Sequence, residues 1–306
     1  MNLPLGLAHA ALAFGMPVLM VGLVNRVKAL WAGRKGPPLL QLGWDLLRLL
    51  RKQPVFSNVA TPVFRAGAWA ILAASLLAAM IAPMLGSFAP LEFHHDFIFF
   101  AYTLGFARLF LMLSALDVGS AFEGMGAARE ASFSAFVEPA FFLLIGTASV
   151  TTGYTSFAAL IGHLHESELF RWLALPLVGV LFILLQAEAS RVPVDDPLTH
   201  LELTMVHEVM ILDHSGPELA AMQYAAALKM TLYAGLIAAL LNPFDPLDAP
   251  LACVAASLAI MACVAVAVGC VESLVARLQM RLVPQYLMLA SATAALCLGG
   301  AGWWVS

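Results

Sequence analysis

Carboxylates are scarce in this 306-residue chain, and they are not scattered. Asp117, Glu123, Glu130 and Glu138 fall in one stretch. Glu188, Asp195, Asp196, Glu202, Glu208, Asp213 and Glu218 fall in a second, and Glu272 stands apart. Glu138 is the most informative, because it interrupts the apolar run FSAFVEPAFFLLIG. Desolvation opposes the charge of a carboxyl in such surroundings unless a base lies near. Groups held in that balance exchange protons, which is what a relay requires. Glu130 and Glu138 are eight residues apart, so on a helix they share a face about two turns apart. The competing reading is structural, with the same acids salt-bridged to Arg108, Arg129 or Arg191. It accounts for any one acid, but the bases are too few to absorb the whole set.

Other chemistry is less well supported. His200, His207 and His214 are spaced by seven and would form a stripe on one continuous helix. They lack the spacing that puts two imidazoles one turn apart for a metal, and Ser215–Gly216–Pro217 is expected to end such a helix near the third. Proton exchange or hydrogen bonding to a partner is the expectation for them. The Gly119–Gly126 and Gly33–Gly36 runs have neither Walker nor Rossmann spacing and read as surface turns. No Ser/His/Asp or Cys/His nucleophile arrangement is present. The four cysteines, Cys253, Cys263, Cys270 and Cys297, sit in apolar runs without a Cys-x-x-Cys pair. The chain is therefore expected to hold no iron–sulfur cluster or zinc, and no redox centre of its own.

The elements that must position these acids follow from composition. Hydrophobic residues make up 62% of the chain and charged residues 11%, with a mean hydropathy of +0.90. A soluble domain would carry about 25% charged residues. The formal net charge is only -4, which excludes a basic nucleic-acid face. Spans of about 20 apolar residues cross a bilayer. They are expected near 4–24, 66–86, 97–115, 132–152, 170–187, 224–241, 250–273 and 284–304. The fold class is all-α: a polytopic membrane protein of about eight transmembrane helices, forming one transmembrane domain over 1–306. No secretory signal is expected, since the first apolar run has its basic residues on the C-terminal side.

The connections sort by charge. Arg26, Lys28, Arg34, Lys35, Arg48, Arg51, Lys52, Arg65, Arg129, Arg191, Arg277 and Arg281 fall on one side if the spans alternate. The opposite connections carry Asp96, Glu166, Glu168, Asp245 and Asp248. By the positive-inside rule the odd connections face the cytoplasm and both termini face out. Arg108 lies deep in a span and must pair inside the protein or reach a wet cavity. In the first connection, residues 38–52 place Leu39, Leu42, Leu46, Leu49 and Leu50 at helical spacing, an amphipathic surface helix. It serves as a membrane-surface anchor, as a docking platform, or as both. The fifth connection, 188–223, is an acidic loop.

Three long stretches carry a family resemblance. GLVNRVKALWAGRKGPPLLQLGWDLLRLLRKQ (Gly22 to Gln53), SALDVGSAFEGMGAAREASFSAFVEP (Ser114 to Pro139) and AEASRVPVDDPLTHLELTMVHEVMILDHSG (Ala187 to Gly216) resemble, in order, signatures of the complex I subunit 1 family. The sequence looks nearest the energy-converting [NiFe] hydrogenase branch, which includes formate hydrogenlyase and hydrogenase-4. It departs from the quinone-reducing branch at Gly33–Gln41, at Pro193–Val194–Asp195 and at Asp213–His214–Ser215–Gly216. The resemblance implies a non-redox membrane anchor and ion-coupling subunit in a bacterial or archaeal cytoplasmic membrane. It implies large and small hydrogenase-like soluble subunits, an iron–sulfur subunit and antiporter-like membrane subunits as partners. The NiFe centre and the iron–sulfur clusters would lie in the soluble ones. It implies a proton (or sodium) path through Asp117, Glu130, Glu138, Glu188, Asp195, Glu202, Glu208 and Asp213. Arg108, Arg129 and Arg191 would be the charge partners. Docking would fall to Arg34, Lys35, Gly36, Pro37, Asp45 and Arg48. The alternatives are a quinone-site subunit of a complex I-like dehydrogenase, an independent secondary transporter, and an inert anchor.

Overall fold

The structure is a computed structural model and describes residues 3–196 and 205–305. Glu202 and His200 lie outside these residues. In chain order the helices are α1 (Leu3–Trp31), α2 (Gln41–Leu50), α3 (Pro62–Ile81), α4 (Asp96–Asp117), α5 (Ala121–Thr152) and α6 (Phe157–Glu166). They continue with α7 (Phe170–Glu188), α8 (His207–Met210), α9 (Gly216–Leu241), α10 (Pro250–Leu274) and α11 (Val283–Val305). Eight of these are long and apolar enough to cross a membrane, all but α2, α6 and α8. The chain is a multi-pass membrane protein.

The bundle is organised around α9, whose most apolar stretch is 83% buried, against 22–50% for the other spans. Its alanine-rich sequence lets α1, α3, α7 and α10 approach closely, and α2 lies across its start. Apolar side chains such as Leu251, Trp172 and Trp303 point outward from the peripheral spans, as a lipid solvent allows. The odd connections meet on one face. Asp117, at the end of α4, accepts hydrogen bonds from Thr61 N and Thr61 Oγ1, both at 2.7 Å, at the start of α3. Leu278 N, after α10, donates to Pro193 O, after α7, at 3.0 Å. The even connections meet on the other face, where His95 N donates to Thr155 O at 2.9 Å.

Several boundaries differ from those expected. α3 stops at Ile81 because Ala82 precedes Pro83 and is held extended, with ψ 123°. α5 begins at Ala121 rather than near 132, so Glu123, Arg129 and Glu130 are helical. Nothing between Ser120 and Phe133 breaks a helix, and the polar turns pack against α8 instead of needing lipid. Pro217 opens α9 rather than closing the helix before it, since a first-turn proline loses no intrahelical bond. The acidic connection therefore ends at Ser215, and Glu218 belongs to α9. His207 and His214 are consequently not on one helix. Within the expected 38–52, α2 forms over Gln41–Leu50, and Leu39 and Leu50 of the expected apolar stripe are exposed. Leu42, Leu46 and Leu49 turn inward and are partly buried, while Leu40, Trp44, Leu47 and Leu50 are exposed.

Two glycines permit contacts that hold the loops on the bundle. A Cβ on Gly22 would overlap the Leu39 carbonyl, where the chain entering α2 crosses α1. A Cβ on Gly126 would strike Val209 Cγ1 and come within 2.9 Å of Met210 Cγ. Overpacking of this kind costs about 1–3 kcal/mol. Gly22→Ala and Gly126→Ala are each expected to lower the unfolding temperature in detergent. Gly124→Ala, whose added Cβ meets nothing within 4 Å, should leave it unchanged.

Candidate functional site

Arg108 enters the bundle interior from α4 with its side chain 5% exposed. A cation there demands counter-charges, because water cannot solvate it. Three carboxylates converge on it. Its Nη1 donates to Glu138 Oε1 at 2.9 Å, its Nε lies 3.4 Å from Glu130 Oε1, and its Nη2 meets Glu188 Oε1. Glu130 and Glu138 reach the same guanidinium because they share a face of α5, as their spacing implied. Lys229 on α9 faces the other oxygen of Glu188 at 3.8 Å. Tyr233, one turn further along α9, is buried within electrostatic reach of Glu188 and Arg108. Two bases face three carboxylates here, so one proton taken up by the set balances its charge.

A second cluster lies alongside. Asp195 is buried and accepts from Val206 N (3.2 Å), His207 N (3.0 Å) and Asp196 N (2.9 Å), and pairs with Arg277 at 2.9 Å. These bonds pin residue 195 to residues 206 and 207 within the acidic connection. Burial pushes the Asp195 carboxyl above the usual carboxylate range. Glu272 on α10 pairs with Lys28 of α1 at 2.7 Å and with Arg191 at 3.4 Å. A void of about 10 Å³, lined by Arg108, Glu130, Glu188, Ser190 and Asp195, separates the first cluster from the second. That is room for about one water.

Beyond Ser190 the chain opens into a cavity of about 470 Å³ between α1, α2 and α9. Asp45, Arg48, Lys52, Arg191, His207 and Glu208 are among the groups that line it. At the opposite end the line reaches the flank of the bundle. The Glu138 side chain is 52% exposed, on a face of α5 that otherwise shows Ala131, Ser132, Ala135 and Pro139.

The structure thus brings Glu130, Glu138, Glu188 and Arg108 together and sets Asp195, Arg191 and Glu208 beside them. It places two other expected path residues apart. Asp117 clips the end of α4 to the start of α3, and exposed Asp213 gives its N–H to buried Glu123 at 3.4 Å. Arg129 donates to Met205 O at 2.8 Å and so holds the returning chain. Arg34, Lys35 and Gly36 are exposed on the basic face, and Asp45 accepts from Arg48 and Gln41 on α2. Lys28 and Lys229 were missed as partners of Glu272 and Glu188. A lone lysine in the alanine-rich Lys229 span was the available signal.

His214 packs flat on Phe64, with centroids 3.7 Å apart, and its Nε2 is 3.0 Å from Ser114 Oγ. Burial lowers it to about 4, and burial with the nearby Lys229 and Arg191 lowers His207 to about 4. Both rings are neutral at pH 7. The unfolded chain binds more protons between about pH 6.5 and about pH 4, so acid costs stability in that window. Relative to wild type, His214→Gln is expected to lose less unfolding temperature as pH drops from 7 to 4.5. Breaking a buried pair by removing one partner costs about 3–5 kcal/mol. Arg108→Leu is therefore expected to lose most folded protein in detergent, and Arg108→Leu with Glu188→Gln to recover part of it. Equal yields for the single and double variants would refute the pairing.

The architecture has known counterparts. The NADH dehydrogenase family model matches residues 5–298. Hydrogenase-4 component C of Escherichia coli K12 is 30% identical over 258 residues, covering 83% of this chain and 80% of that one. Formate hydrogenlyase subunit 4 of the same organism is 27% identical over 245 residues, 79% and 78% of the two chains. Among solved structures, a chain of the membrane-bound sulfane sulfur reductase, an archaeal respiratory membrane complex, superposes with a TM-score of 0.80. That match covers 99% of this chain and 100% of the other at 19% identity, a likeness of fold. With eight spans, an interior cluster on Arg108 and a match over nearly its whole length, the chain belongs to the NADH dehydrogenase family of complex I subunit 1-like membrane proteins.

Proposed function

We propose that this chain is the membrane anchor and ion-coupling subunit of a multisubunit membrane-bound oxidoreductase of the formate hydrogenlyase and hydrogenase-4 kind. One observation carries the reading. Arg108, Glu130, Glu188 and Asp195 line one small void, Ser190 borders both that void and the cavity beneath α2, and Arg108 pairs with the half-exposed Glu138 on the flank. An open carboxylate at membrane depth is costly in lipid and suits transfer to an adjoining membrane subunit. Antiporter-like subunits would receive the ion there. Soluble subunits, resembling hydrogenase large and small subunits with an iron–sulfur protein, would sit on the face that carries Arg34, Lys35 and α2. Redox chemistry at their NiFe centre and iron–sulfur clusters would change the charge above the cavity. This chain would pass that change on as proton (or sodium) movement. The basic face would be cytoplasmic, with both termini outside, as the distribution of Arg and Lys directs.

The work of the chain's own groups is electrostatic. Arg108 holds Glu130, Glu138 and Glu188 in one field, so a proton gained by one changes the affinity of the others. Lys229 and Glu188 join α9 to α7 across that field. In the purified complex reconstituted into vesicles, Glu138→Gln is expected to abolish ion movement while the redox half-reaction with a soluble acceptor persists. Full pumping by that variant would overturn the assignment. Purification through this chain is expected to bring down nickel, iron and antiporter-like subunits together. Recovery of the chain alone and metal-free would refute the complex.

A second reading rests on the cavity itself. Its volume of about 470 Å³ and its lining of apolar, basic and acidic groups would also suit the headgroup of a quinone. Protection of the Leu42–Leu49 segment from a photoreactive quinone analogue by excess quinone would favour it.

A further inference from the structure

A second groove, of about 540 Å³, lies away from this path, where α3 begins. Thr61, at its upper end, is the N-cap of α3, and Trp69, at its lower end, is eight residues further on. At a helix rise of ~1.5 Å per residue the groove runs about 12 Å down the flank of the span. It therefore starts at the basic face and descends into the apolar layer.

Its chemistry is graded along that length. Near the top the Arg65 guanidinium lies 4.3 Å from the Phe56 ring centroid, with the side chain 61% exposed. Beside it the Glu218 side chain, 6% exposed, lines the groove from α9. One carboxylate oxygen is 3.7 Å from Arg65 Nε, a loose contact, and the other is enclosed and has no hydrogen-bond partner among the described residues. Lower down come Ala66 and the half-exposed indole of Trp69, a residue favoured at membrane interfaces.

We propose that this groove seats a membrane glycerophospholipid whose headgroup carries a primary ammonium. Its phosphate lies on Arg65, its ammonium on Glu218, and an acyl chain follows Ala66 and Trp69. Each element has a reason. The planar guanidinium matches phosphate oxygens in pairs, and the long contact to Glu218 lets it turn outward to do so. Once Arg65 turns to the phosphate, the Glu218 carboxylate in the groove wall is left without its cation, which an ammonium replaces. A headgroup bearing phosphate alone meets the Glu218 charge with nothing to offset it. A quaternary ammonium has no N–H to give.

The test is native mass spectrometry of the intact purified complex, stripped of lipid and titrated with phosphatidylethanolamine, phosphatidylcholine or phosphatidylglycerol. Wild type is expected to retain the ethanolamine lipid about tenfold more strongly than the other two. Glu218→Gln is expected to reduce that preference to about one, and Arg65→Met to weaken all three lipids. Ala66→Trp fills the groove without touching either charge. It is expected to lose the lipid while the complex stays assembled, so it decides the matter if Glu218→Gln fails to assemble. Equal retention of the three lipids by wild type would overturn the proposal. So would an ethanolamine preference that survives in Ala66→Trp, or a photoreactive group at position 66 that crosslinks to protein instead of lipid.

Discussion

A guanidinium inside a membrane-spanning bundle cannot be left to itself, and the arrangement around Arg108 follows from that. At interior dielectric an uncompensated cation costs far more than any single packing contact returns. Two elements supply what it needs: α5 through Glu130 and Glu138, and α7 through Glu188, whose other oxygen faces Lys229 on α9. The same requirement fixes the rotation of α5 about its axis, since two acids eight residues apart must both reach one nitrogen fork. It also explains why α9 is central. Its alanines let the other spans close in, so that the charges meet without much water between them.

Much of this was legible in the residues. The eight spans, the all-helical class and the surface helix follow from hydropathy alone, because lipid imposes backbone self-satisfaction and about twenty apolar residues per crossing. The isolation of Arg108 and the intrusion of Glu138 into an apolar run marked the site, and the structure joins the two. What hydropathy could not show was where polar helix turns continue. α5 runs eleven residues beyond its apolar core because Val209 and Met210, distant in sequence, pack against Gly126. Pro217 misled for a similar reason. The same residue starts or stops a helix, and only the geometry of Ser215 and Gly216 before it decides. Pairings such as Lys28 with Glu272 or Arg277 with Asp195 are long-range. No spacing rule in one chain predicts them.

The polar loops are not an independent layer resting on the spans. Asp195 gathers three backbone N–H groups and one guanidinium, so two stretches of the acidic connection and Arg277 are tied to one carboxyl. His214 lies against Phe64 and Ser114, and Ser215 exchanges hydrogen bonds with Val55 at 2.8 and 3.1 Å. A displacement imposed on either the stretch after α2 or the return of the acidic connection is thereby shared by α3, α4 and the cavity wall. Such mechanical continuity is what a coupling element requires, since a soft junction would absorb a movement instead of transmitting it.

The openness of Glu138 has a bearing on the life of the protein before it works. A copy inserted alone shows a carboxylate from the side of a helix, whereas a copy assembled as proposed would hide it against a neighbour. The two differ in a property that membrane quality control reads, namely how comfortably a span rests in lipid. Assembly and surveillance would then depend on the same side chain. Unpartnered copies would be marked for removal by the group that makes the finished complex useful, and the abundance of this chain would track that of its neighbour without any dedicated regulator.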